Sequence, residues 1–148
     1  MSEENLYREA LELALKKLKL KDRFESEIRL FLTEYPSPVV DRAISFLKER
    51  RIIDDRKTTI NLVESYSGKR SIGSEKLRAE LQERGAPEET IEAVFCELLS
   101  EERERMLDAL TAKYSPETCS RAKAARLLYS RGFPEEEIES VLDRFFQA

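Results

Sequence analysis

The chain has 148 residues, with 26 basic against 30 acidic side chains, a net charge of −4 and no histidine. The missing histidine excludes His-based acid–base catalysis, Ser-His and Cys-His nucleophiles and histidine metal ligands. Four glycines leave little material for a phosphate-cradling loop, and neither G-x-G-x-x-G nor G-x-x-x-x-G-K-[ST] occurs.

Leu, Glu, Lys, Arg and Ala dominate, which favours helix. Nine helices are predicted. The first two run over 4–20 and 24–34 and end at the Tyr35-Pro36-Ser37-Pro38 break. The third, 38–50, carries Val40, Ala43, Ile44 and Leu47 at i, i+3, i+4, i+7. Asp54 and Asp55 open a fourth over 55–67, where Thr58, Thr59 and Ile60 are β-branched and stiff in a helix. The fifth and sixth, 74–84 and 88–99, are separated by Gly85-Ala86-Pro87. The seventh covers 102–113. The eighth and ninth, 119–131 and 135–147, are separated by Gly132-Phe133-Pro134. Gly85 and Gly132 suit left-handed helix C-caps, and Pro87 and Pro134 suit the start of the next helix. The glutamates that follow each proline favour the positive helix end.

Arg84-Gly85-Ala86-Pro87-Glu88-Glu89-Thr90-Ile91-Glu92-Ala93-Val94 returns 47 residues later (132 minus 85) as Arg131-Gly132-Phe133-Pro134-Glu135-Glu136-Glu137-Ile138-Glu139-Ser140-Val141, with eight of eleven positions identical. Ile60 falls onto Leu107, Val63 onto Leu110 and Leu81 onto Leu128. A period of this size signals an array of supersecondary units. The first third fits at a shift of 51, with Val40, Ala43, Ile44 and Leu47 on Ile91, Val94, Phe95 and Leu98, but without the glycine. The expected fold class is therefore all-α: three tandem three-helix repeats, 1–53, 54–100 and 101–148, in an elongated, slightly curved array. Each triplet is expected to leave an apolar face that only its neighbour covers.

Two cysteines, Cys96 and Cys119, lack CxxC spacing and make no disulfide framework, which fits a reducing compartment. Both read as packed or incidental thiols. No apolar run approaches a membrane span, and Met1-Ser2-Glu3-Glu4 does not read as a signal peptide, so a cytoplasmic protein is expected. Phe24, Phe31, Phe46, Phe95, Phe145 and Phe146 follow helix spacing and read as core, and Tyr129 and Phe133 are expected to pack as well.

Candidate binding residues are basic. Lys16, Lys17, Lys19, Lys21 and Arg23 form the densest run, and Arg50-Arg51, Arg56-Lys57 and Lys69-Arg70 are further pairs. Cations at such positions suit phosphate or an acidic protein surface, while the same residues also serve as solvated helix ends. Lys69 and Arg70 lie in the Ser67–Gly73 loop, the longest Gly/Ser stretch. Asp54-Asp55 reads as a helix N-cap, not a metal site. No spacing assembles a catalytic site, no metal ligand set is present, and no cofactor is expected.

The order Leu47-x-x-x-x-Ile52-Ile53-Asp54-Asp55, then Gly73-x-x-Lys76-Leu77-x-x-Glu80-Leu81-x-x-Arg84-Gly85 with Ile91-x-x-Val94-Phe95, and finally Arg131-Gly132-Phe133 with Ile138-x-x-Val141-Leu142, resembles the RecX family of bacterial recombination regulators. The resemblance spans almost the whole chain. It departs where Thr58 and Thr59 replace the family's usual aromatic and alanine, and in the glycine absent from the first triplet. The resemblance implies a non-enzymatic, monomeric protein of three helical repeats that binds the RecA recombinase filament. It implies modulation of the filament's ATPase, strand-exchange and co-protease activities in DNA repair, recombination and the SOS response. Single-stranded DNA is a further expected contact, weak or within the filament. A helical-repeat adaptor with another partner and a weak DNA-binding module are the alternative readings.

Overall fold

The computed structural model describes residues 2–147. Among them the chain forms nine α-helices: α1 (Glu3–Leu20), α2 (Glu25–Phe31), α3 (Ser37–Glu49), α4 (Asp55–Ser65), α5 (Ser74–Arg84), α6 (Glu88–Leu98), α7 (Glu102–Lys113), α8 (Arg121–Ser130) and α9 (Glu135–Phe146), with a 3-10 turn at Gly68–Arg70. The starts follow local chemistry. Ser2, Asp54 and Ser120 accept the amides of Asn5, Lys57 and Lys123, satisfying donors that a first helical turn leaves open. Gly85 closes α5 in the left-handed region, at φ 94°. α2 stops at Phe31, short of the predicted 34, because Leu32 to Tyr35 continue as turns that bring the chain to Pro36.

The helices pack in threes: α1, α2 and α3 contact one another, as do α4, α5 and α6, and α7, α8 and α9. Three separate apolar clusters correspond to them. The first holds Ala10, Ala14, Ile28, Leu32, Ile44 and Leu47; the third holds Met106, Leu110, Leu128, Val141, Leu142 and Phe145. The middle one gathers Leu77, Leu81, Ile91 and Val94 and receives Phe24 from the turn before α2. Each triplet thus buries its own apolar face. The expectation that neighbours cover those faces is corrected: the period-3.6 stripe of each helix is used up inside its triplet, and the joints between triplets are mainly polar.

Both joints are built on one plan. The first residue of the incoming triplet places a carboxylate on the first amide of the preceding middle helix: Asp55 Oδ1 accepts Glu25 N at 2.9 Å, and Glu102 Oε1 accepts Ser74 N at 3.0 Å. Asp55 and Glu102 stand 47 residues apart, so this clasp repeats with the sequence. The end of the incoming middle helix presses on the same place. Ser26 Oγ donates to the Gly85 carbonyl at 3.1 Å, and Gly73 N donates to the Arg131 carbonyl at 2.8 Å. Arg84 bonds Glu27 at 2.9 Å and the Asp22 carbonyl at 3.1 Å, while Arg131 bonds the Ser71 carbonyl at 3.0 Å. The repeated Arg-Gly pair is therefore an inter-triplet joint as well as a helix end. The end of α2 faces no preceding triplet among the described residues; it carries Tyr35, which packs onto the first core where the other triplets have glycine.

Candidate partner interface

A groove lined by cations from two triplets lies at the second joint. Gly68 adopts φ 58°, and Ser71 N bonds the Gly68 carbonyl at 3.1 Å, so the loop winds into a 3-10 turn that packs against α7. The turn is anchored from beneath. Arg105, 5% exposed, donates to the Ile72 carbonyl, pairs with Glu102 at 3.0 Å and lies over the Phe133 ring. Burial pulls its guanidinium below its ordinary value, and the charge of Glu102 works the other way. This scaffold holds Lys69 and Arg70 against the C-terminal ends of α7 and α8, and Lys69, Arg70, Ala112, Lys113 and Arg131 line an open groove of about 500 Å³. The Arg70 guanidinium sits 5.7 Å from the Tyr66 ring centre; Lys113 and Lys123 sit 5.7 and 5.4 Å from that of Tyr114. No described carboxylate comes within ion-pair distance of Lys69, Arg70, Lys113, Lys123 or Arg131, whereas Arg56, Arg78, Arg103 and Arg121 are all paired. A groove of this kind attracts phosphate or carboxylate groups by charge and offers aromatic rings beside them.

The other predicted cations do not converge there. Lys17 and Arg23 meet on Phe31, with their cationic centres 4.6 and 5.0 Å from its ring, and Arg23 Nε bonds the Lys17 carbonyl at 3.1 Å. Phe31 is 36% exposed, so its reading as core is corrected: it belongs to no apolar cluster, and two cations lie over its ring. Lys16 and Lys19 flank an open apolar groove with Glu12, Leu15, Leu18 and Ile52, and Lys21 is exposed in the turn after α1. Arg50 stacks 3.8 Å over Phe46. Arg51, at φ 56°, reaches Asp54 at 3.7 Å, and Arg56 pairs with Glu97. Lys57 is exposed on the first turn of α4. The candidates therefore divide between a basic–aromatic edge on α1 and α2, scattered cations around the α3–α4 turn, and the groove at the second joint.

Sequence reading missed Lys113, Lys123 and Arg131. Arg131 was visible as part of the repeated motif but read only as a helix end. Lys113 lies more than forty residues from Lys69 along the chain, and only the docking of the 3-10 turn on α7 brings them together. Asp54 caps α4 as expected, whereas Asp55 caps the preceding triplet instead; burial pushes its carboxyl above the ordinary value. Cys96 is exposed and Cys119 half-buried. Phe133 packs at 4% exposure, but Tyr129, at 54%, stands in solvent on the outer face of α8 and corrects its expected packing.

No family model matches the chain. Its relatives are nevertheless consistent. Regulatory protein RecX from Chlorobium limicola is 28% identical over 144 residues, covering 94% of this chain and 91% of that protein. Regulatory protein RecX from Chlorobium phaeobacteroides is 28% identical over 147 residues, covering 95% and 96%. That from Yersinia enterocolitica is 25% identical over 167 aligned positions, covering 93% and 98%. Over nearly its whole length the chain is similar to proteins named regulatory protein RecX. The fold agrees end to end: the crystal structure of RecX from Lactobacillus salivarius superposes with a TM-score of 0.74 at 16% identity, covering 95% of this chain and 97% of that one. The RecX match therefore covers nearly the whole length over which the three triplets run. Thr58 and Thr59, the departures from the family pattern, are 5% and 0% exposed, and Thr59 bonds the Asp55 carbonyl one turn back at 2.7 Å. They alter packing inside the second triplet and leave its outer surface untouched.

Proposed function

We propose that this chain is a non-enzymatic regulator that docks on the RecA recombinase filament and restrains its ATPase, strand-exchange and co-protease activities. On this reading it acts in the cytoplasm, as a monomer, in recombination and DNA repair. The observation that carries the reading is the match to proteins named regulatory protein RecX, which covers about 95% of the chain. Two features support it. Three tandem triplets, with units at 1–53, 54–100 and 101–148, give a chain whose surfaces reach several neighbouring sites on a polymer. The groove of Lys69, Arg70, Lys113 and Arg131, with the Lys16–Arg23 edge, supplies charge for the filament's DNA phosphates or acidic faces.

The test is RecA ATPase on single-stranded DNA with this protein titrated in. The reading predicts a progressive fall in rate, reached at or below one chain per recombinase subunit. An unchanged rate at equimolar protein contradicts it.

The groove specifically favours a direct contact with DNA as a component of this function. The net charge of −4 keeps such binding weak on its own, since affinity for nucleic acid grows with the phosphates neutralised. The buried position of Thr58 and Thr59 removes the main reason for preferring an adaptor with an unrelated partner.

A further inference from the structure

The groove is shared between two triplets. Lys69 and Arg70 belong to the connection between α4 and α5; Lys113 ends α7 and Arg131 ends α8. Between these two pairs of cations runs the second joint, held by polar contacts: Gly73 N to the Arg131 carbonyl, Ser74 N to Glu102, Arg131 to the Ser71 carbonyl, and Lys76 to the Ser130 carbonyl at 3.3 Å. Cations of both triplets therefore line one groove across the joint, and no described carboxylate lies within ion-pair distance of them. Their mutual repulsion opposes closure when the groove is empty.

We propose that a phosphodiester strand laid in this groove is a fastener: by bridging the cations of the second triplet to those of the third, it locks the second joint. The inference rests on the reading of the groove as a phosphate site and adds a mechanical consequence to it. A single strand is the occupant because the half-buried Tyr114 ring stands beside Lys113 and Lys123 at the edge of the groove, and unpaired bases stack on an aromatic ring that a duplex leaves unused. A ligand that binds only the closed joint stabilises it by mass action. In a chain whose three cores are separate, the relative setting of second and third triplets then depends on whether DNA is present.

The joint's own amides report this. A labelled oligothymidylate of about twelve nucleotides, a length suited to one such groove, is titrated into the whole protein at low and moderate salt. Binding is followed by fluorescence anisotropy and local opening by hydrogen exchange. The proposal predicts binding that weakens with salt, and slower exchange at Gly73 and Ser74 in the complex. Exchange at Phe24 and Glu25, whose amides bond Glu27 and Asp55 near the first joint, stays unchanged. The double variant Lys69→Ala/Lys113→Ala removes two exposed side chains. It should lose roughly tenfold in affinity at low salt and flatten the logarithmic salt dependence by about 1.4, the share of two phosphate contacts on a single strand. Absence of binding to the native chain overturns the phosphate reading and the fastener with it. Binding that the double variant retains in full places the strand elsewhere. Binding without slowed exchange at Gly73 and Ser74, or with equal slowing at both joints, leaves a phosphate site but overturns the fastener.

Discussion

Gly73 shows how tightly the second joint closes. A Cβ there would lie 2.0 Å from the Gly132 carbonyl oxygen and 2.6 Å from its carbon, both backbone atoms. Gly73→Ala should therefore cost roughly 2 kcal/mol or more, because backbone cannot step aside as a side chain can. Gly68→Ala meets open space and carries only the strain of φ 58°, about 1 kcal/mol. Paired thermal melts check the ranking, and equal losses would contradict it. Glu27 gives a pH signature at the first joint. Burial works to raise its carboxyl, but bonds from Arg84 and the Phe24 amide and the charge of Arg84 prevail and hold it below 4.5. Its folded value is depressed, so its contribution is present above the unfolded value and is lost as pH falls through the folded one. Glu27→Gln should lower stability at neutral pH and reduce the additional loss below pH 4.5; chemical denaturation at pH 7 and pH 3 measures both (about neutrality and below every carboxylate midpoint). At this scale Asp54 was legible as a cap, but Asp55 was not legible as a clasp, because its partner amide lies thirty residues away.

Helices were legible because their apolar residues recur at the helical period and their ends carry glycine, proline or short polar caps. Ile91, Val94, Ile138, Val141, Leu142 and Phe145 are all buried, as their spacing predicts. Spacing alone does not say which core a residue enters. Phe24 precedes α2 of the first triplet yet lies in the middle core, fully buried, with the Arg84 guanidinium 5.1 Å from its ring centre. Phe31, at the end of α2, belongs to no apolar cluster. Phe24→Ala should cost about 3–5 kcal/mol, the usual loss for a fully buried phenylalanine, whereas Phe31→Ala should cost less than about 1 kcal/mol. Urea unfolding of the two variants distinguishes them, and similar midpoints would contradict the burial of Phe24 in the middle core.

The repeat in the sequence announced three like units, and the RecX resemblance named their kind; neither disclosed how the units meet. A 47-residue period records that Arg84-Gly85 and Arg131-Gly132 occupy equivalent places, where the left-handed backbone already favours glycine; it does not record that Ser26 of the preceding middle helix sits where a Gly85 Cβ would lie. The basic groove was half legible for the same reason: Lys69 and Arg70 stood out in their loop, but Lys113 and Arg131 become neighbours only through the joint. At the scale of the whole molecule, three cores, the middle one completed by Phe24 of the first triplet, and two mainly polar joints produce a scaffold that works by contact. The most direct test of that claim is co-sedimentation of the full chain with RecA filaments assembled on single-stranded DNA, against DNA alone and RecA alone. The account predicts saturable recovery in the filament pellet that falls when Lys69, Arg70 and Lys113 are replaced together by alanine. A chain that stays in the supernatant at every filament concentration would contradict it.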